Sequence, residues 1–179
     1  MSKSGKMSLF APVIVLVCIC FVASFMLAGV YGLTKPVIDE LTERTNTEAR
    51  MAVLPTADGF SEVTNVELVK GVKDAFVAKN GAGLVCRTSF NGFGGAVILM
   101  VGVDANGQIT GVQKLEASET PGIGSNALTD SYLGQFAGNK TAEAVDFVSG
   151  ASFTSKAVRN GVNAAIEQFN AVKAAGLIK

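Results

Sequence analysis

The sequence predicts an α+β protein with a single N-terminal transmembrane helix, followed by a compact domain in which helices pack on a central antiparallel or mixed sheet. Three observations predict it: residues 9–33 run without a charge, residues 96–115 read as strand, turn, strand, and residues 154–172 carry apolar side chains at helical spacing. The 179-residue chain is 49% apolar and 17% charged, with 15 basic residues balancing 15 acidic ones. That balance excludes disorder as the dominant state and removes the basic surface that nucleic-acid binding uses. No histidine is present, so neither a Ser-His-Asp triad nor a His-based metal site can be built, and no cluster of metal ligands takes its place. No side chain is assigned as a catalytic acid, base or nucleophile.

Residues 1–8 form a short leading tail. Residues 9–33, as a helix, reach about 37 Å, more than the roughly 30 Å of bilayer hydrocarbon. The run outlasts the apolar core of a secretory signal peptide and continues past the weakly cleavage-like Ala28-Gly29 pair, so a retained anchor is expected. Lys3 and Lys6 place the tail in the cytoplasm and the rest of the chain outside it. Pro12 falls near the first turn, where its missing N–H matters least. Cys18 and Cys20 lie in the span, leaving Cys86 without a disulfide partner in the outer domain.

Residues 34–60 read as a helical connector that can continue from the span as a helix, with Pro36 tolerated near a break and a stop at Pro55, Asp58 and Gly59. Residues 61–179 are assigned to the outer domain. Within it, Val63, Val66, Val69, Val72, Phe76 and Val77 sit near helical spacing in a valine-rich stretch, which fits a short helix or a strand. A strand over 83–89, glycines at 92, 94 and 95, a strand over 96–103, a turn at 104–107 and a strand over 108–115 follow, the last two strands forming a hairpin. Pro121 with Gly122 and Gly124 marks a loop, 128–136 a short helix, 144–148 a short strand, and 154–172 an amphipathic helix. The junction of that strand and helix gathers Ser149, Ser152, Thr154 and Ser155 at a helix start, suited to a phosphate and equally to simple N-capping. Gly122, Gly124 and Gly150 read first as turn residues.

Ser149-Gly150-Ala151-Ser152-Phe153-Thr154 resembles the Ser-Gly-Ala-Thr-x-Thr flavin-attachment motif of the RnfG/RsxG and NqrC families, subunits of ion-translocating electron transport complexes in prokaryotic membranes. Glu119-Thr-Pro-Gly-Ile-Gly124 is similar to a second family loop, and residues 92–112 to the family's central hairpin. The resemblance implies an FMN-binding domain with FMN held covalently at Thr154 through a phosphoester, placed there by a separate flavin transferase. It further implies Ser152 and Ser155 near the phosphate, and Glu119, Thr120 and the Gly122 and Gly124 backbone near the isoalloxazine or ribityl group. Ser152 departs from the usual Thr, and Ala117 stands where relatives commonly carry His.

The implied role is a single-pass flavoprotein of the prokaryotic inner membrane that relays electrons in an Rnf-type ferredoxin:NAD+ oxidoreductase. Sister subunits would handle NAD, ferredoxin and the coupling ion, and this subunit would not be catalytic alone. The short chain favours RnfG over the NqrC-type subunit of a Na+-translocating NADH:quinone reductase. A tethered structural or binding module without cofactor is the alternative. No GxGxxG follows a strand, so no NAD site is expected in this chain.

Overall fold

The computed structural model describes residues 4–178 in backbone, with side chains from residue 10; Lys3 lies outside the described residues, and the Lys6 side chain with it. The chain divides into two compact units, residues 1–45 and 46–179.

Helix α1 (Ser4–Val53) runs as one element through both of its prolines; it begins eight residues before Pro12, which therefore lies inside the helix and not in its first turn as expected. Its apolar part is long and greasy enough to cross a membrane, with a mean hydropathy of 2.9 in its most apolar window. Apolar side chains such as Phe21, Phe25 and Leu33 stand exposed around it. The helix passes Pro36 without interruption, as a continuation from the span allows. A proline forfeits one backbone hydrogen bond, and the neighbouring turns are braced: Thr34 Oγ1 donates to the Val30 carbonyl (3.0 Å), Thr42 Oγ1 to that of Ile38 (2.8 Å), and Lys35 pairs with Asp39 at 3.0 Å one turn on.

The second unit is built on a five-stranded antiparallel meander, β1 (Phe60–Glu62), β2 (Val72–Ala78), β3 (Gly83–Asn91), β4 (Ala96–Asp104) and β5 (Ile109–Ala117), in sequence order across the sheet. The expected hairpin is β4–β5, turning at Asp104, whose carboxylate accepts from the Asn106 and Gln108 amides (both 2.8 Å). The expected helix or strand over 61–78 resolves as strand at both ends, β1 closing at Glu62 and β2 starting at Val72, with irregular chain between them. Its valines at 63, 66 and 69 pack inward from an irregular crossing. Buried Gln168 holds that crossing by accepting from the Val69 amide at 2.7 Å.

Period-2 alternation gives the sheet two apolar faces. On one, the last turn of α1 and the residues after it (Ala49, Val53, Leu54, Ala57) pack on Ala78, Val85 and Met100. Glycine is required there, since a β-carbon on Gly102 would lie 2.4 Å from the Val53 carbonyl oxygen. On the other face, α3 (Ser152–Ala174) lays Ala157, Val158, Val162, Ala165 and Phe169 against Leu84, Cys86, Leu99 and Val101. Gly161 lets the helix close on Thr88, with a β-carbon there 2.8 Å from the Thr88 hydroxyl. Short 3-10 turns at Gly124–Leu128 and Gly134–Phe136 flank α2 (Asp130–Leu133), where a single helix over 128–136 was expected.

The strand expected over 144–148 does not form. The segment is a 3-10 turn at Ala142–Ala144 followed by irregular chain. Side chains of α3 take the backbone groups a ladder would use: the Arg159 guanidinium donates to the Val145 carbonyl, and Ser155 Oγ accepts from the Val148 amide at 3.1 Å. Val145 is buried without any sheet pairing.

Candidate functional site

Packing of α3 on the sheet fixes its first turn beside the β3–β4 connection, and this is where the motif residues fall. Gly150, at φ +80°, makes the reversal into α3 that an L side chain would strain. Ala151 is the N-cap, and no side chain caps the helix. The hydroxyl cluster therefore does not act as a cap. Ser149 and Ser152 are exposed, and Ser155 is turned back on Val148. The first amides of α3 keep their positive end open to an anion.

Thr154 is 0% exposed, and its hydroxyl has no hydrogen-bond partner. A helical threonine ordinarily returns its hydroxyl to a carbonyl one turn back. Thr154 does not, and a buried hydroxyl left in that state costs about 1–3 kcal/mol. The residue lines a cavity of about 180 Å³ together with Phe93, Ile123, Gly124, Gly150, Ala151, Ser152 and Phe153. The rim is apolar and open: Phe93 is 68% and Phe153 71% exposed, their ring centroids 6.3 Å apart.

Glu119 is half-buried, and its carboxylate accepts from the Phe93 amide at 3.0 Å and the Gly94 amide at 3.1 Å. Thr120, Gly122 and their neighbours form a self-contained turn: the Thr120 carbonyl accepts from the Ile123 amide (3.2 Å), and the Gly122 amide donates to Ser125 Oγ (2.9 Å). Of the residues singled out from sequence, Gly124, Gly150, Ala151, Ser152 and Thr154 surround the cavity. Glu119 reaches it through the loop it holds, while Ser149, Thr120, Gly122 and Ser155 do not line it. Phe93, Ile123 and Phe153 were missed. Two of them stand inside the motifs themselves, as bulky apolar residues at positions where a solvated loop would favour polar ones.

Behind the site, Tyr132 packs edge-on to Phe136 with ring centroids 5.6 Å apart, and burial pushes its phenol above the ordinary range. Arg159, in the second turn of α3, is committed to the Phe147 ring, 4.0 Å from its centroid. Among the described residues, no group of metal-binding side chains occurs.

A small cavity against a helix N-terminus, ending on an unpartnered hydroxyl, suits a phosphate ester of that hydroxyl. Esterification removes the hydrogen that has no acceptor. The volume is below the roughly 300 Å³ of pockets that enclose a whole ligand, and the adjoining aromatic rim offers a flat apolar surface for what lies beyond the phosphate.

Residues 92–167 match the FMN-binding domain family. The chain is 33% identical over 176 residues to the G subunit of the proton-translocating ferredoxin:NAD(+) oxidoreductase complex of Clostridium ljungdahlii, spanning 90% of this chain and 91% of that protein. It is 29% identical over 185 residues to the Na(+)-translocating counterpart of Acetobacterium woodii (87% and 89% covered). With the G subunit of the ion-translocating oxidoreductase complex of Methanosarcina acetivorans it shares 30% identity over 175 residues (89% and 93% covered).

Proposed function

The chain belongs to the family of G subunits of ion-translocating oxidoreductase complexes, and from that premise we propose that it is a membrane-anchored flavoprotein subunit carrying FMN as a phosphoester on Thr154. It relays electrons inside a ferredoxin:NAD+ oxidoreductase complex, alongside the other membrane subunits of that assembly. A flavin transferase installs the cofactor. The domain lies on the extracytoplasmic side of a prokaryotic cell membrane, an orientation supported by Lys3 and Lys6 at the opposite end of the span.

The single observation that carries the attachment is the Thr154 hydroxyl, wholly enclosed and unpartnered at the cavity floor. Bound FMN supplies the redox chemistry that no side chain here provides. The chain's own residues bind and orient. The open amides of the first turn of α3 would face the phosphate charge, Gly150 and Ala151 leave the turn narrow enough for close approach, and Phe93, Phe153 and Ile123 present an apolar face outside the cavity.

Intact mass of the full chain, co-expressed with a flavin transferase, tests this. The wild-type protein gains one FMN less water and keeps its yellow colour on denaturation; Thr154→Ala gains nothing. An unmodified wild-type chain, or an adduct that survives Thr154→Ala, refutes the assignment.

A further inference from the structure

The two glycine-bearing segments that stand out in the sequence, 92–95 and 119–124, meet at one side chain. Glu119 reaches across to the β3–β4 connection, and its two oxygens each take one amide hydrogen, from Phe93 (3.0 Å) and Gly94 (3.1 Å). The glycines around it leave the space the carboxylate fills: a β-carbon on Gly92 would lie 1.9 Å from Glu119 Oε1, and one on Gly124 would lie 2.1 Å from Glu119 Oε2, so either would push the carboxylate aside. A β-carbon on Gly94 would meet the Ser118 carbonyl oxygen at 2.2 Å. None of these three glycines has positive φ, so their backbones do not ask for glycine. Gly92 and Gly124 leave a slot for the Glu119 carboxylate, and Gly94 lets the two backbones close beside it.

The same slot touches the cavity. The position a Gly124 β-carbon would take lies 3.0 Å from Thr154 Oγ1 as well as 2.1 Å from Glu119 Oε2. Phe93, whose amide Glu119 holds, supplies one side of the rim, and Ile123 and Gly124 on the other segment supply another. Resting on the reading that flavin is carried at Thr154, we infer that Glu119 is a positioning residue for the cofactor. Its carboxylate clamps the two loops together so that Phe93 and Ile123 form a fixed rim over Thr154. It acts on the flavin through the backbone it holds, with no contact to the reacting atoms required.

Hydrogen exchange and iodide quenching of flavin fluorescence test this on the full chain, co-expressed with flavin transferase and purified in detergent. Glu119→Ala leaves the adduct in place, speeds exchange in the peptide containing Phe93 and Gly94 by about tenfold, and exposes the flavin to iodide severalfold more than in wild type. Glu119→Gln, which keeps an acceptor for one amide, falls between the two. Gly92→Ala displaces the carboxylate without removing it and reproduces the Glu119→Ala result. The double variant is no worse than either single one, because both remove the same contact. Val101→Ala, a core variant away from the slot, loses thermal stability but leaves quenching at the wild-type value. Unchanged exchange in Glu119→Ala, additive effects in the double variant, or equal quenching in Glu119→Ala and Val101→Ala would each overturn the inference. A wild-type chain that takes up no flavin overturns the reading beneath it, and the exchange data then decide the clamp on their own.

Discussion

Replacing Thr154 by valine separates a structural role from an acceptor role, because the two predict opposite changes in stability. Valine has nearly the same shape and a similar helix propensity, so the substitution removes only the hydroxyl. If that hydroxyl were a helix cap, its loss would cost about 0.5–2 kcal/mol. The structure gives it no partner and no exposure, so its removal relieves a desolvation penalty of about 1–3 kcal/mol in the unmodified protein. For a domain of this size, each kcal/mol moves the thermal midpoint by about 3–6 °C. The assay is thermal unfolding of full-length protein made without flavin transferase, wild type against Thr154→Val, followed by intact mass of both made with it. The expected result is a variant that melts several degrees higher and never acquires flavin. A variant that melts lower would show that the hydroxyl has a stabilising partner, and would refute the argument that it is kept free for an ester.

Two further predictions concern the scaffold. Gly161→Ala places a methyl 2.8 Å from the Thr88 hydroxyl and 3.3 Å from a Leu99 methyl, between α3 and the sheet; it should cost about 1–3 kcal/mol despite the better helix propensity of alanine, and denaturant titration showing a gain would contradict the packing described. Cys86 is buried in β3, and burial first, then the Asp74 carboxylate, push its thiol above the ordinary value of 9.0. The folded state thus holds the proton longer than the unfolded one, so this contribution is intact below pH 9.0 and is lost as pH rises beyond it. Stability should fall by up to about 1.4 kcal/mol per pH unit in that range, less steeply in Cys86→Val, and peptide mapping should find Cys86 unlabelled by iodoacetamide until the protein is unfolded.

The hairpin and the long C-terminal helix were legible because each rests on local pattern: alternating valines around an Asp-Ala-Asn-Gly turn, and apolar residues recurring every three or four positions from Val158 to Val172. What misled was apolar content without an edge to pair. Residues 144–148 carry the composition of a strand, yet the backbone of this segment is satisfied by Arg159 and Ser155, two side chains from a helix whose placement no local pattern reveals. The valines at 63, 66 and 69 look helical because an irregular crossing pinned by Gln168 also turns every third residue inward. At the site, the motif pointed to Thr154 but not to how the hydroxyls divide. Ser155 closes the loop before α3, Ser149 and Ser152 face outward, and of these four Thr154 alone is enclosed and unspent. Glu119 read equally well as a solvated loop acid, since the contact that defines it joins segments 25 residues apart.

The architecture also bears on why a covalent bond suits this protein. The cavity holds about 180 Å³, its lining is mostly apolar and backbone, and the one acidic group beside it is already spent on two amides. Such a site offers few directional contacts, so reversible binding of a charged, flexible flavin nucleotide would have to recover the ordering cost from little surface. The proposed ester to Thr154 would remove that requirement and leave only the task of holding orientation. The sheet performs it. β4 touches the last turn of α1 through Gly102 on one face and α3 through Leu99 and Val101 on the other. The first turn of α3 is therefore fixed relative to the end of α1 by a paired central strand rather than by a loop. A relay needs a constant distance to its partners more than it needs affinity for its cofactor, and this chain spends its glycines accordingly: at Gly102 and Gly161 to close the layers, and at Gly92 and Gly124 to admit the clamp.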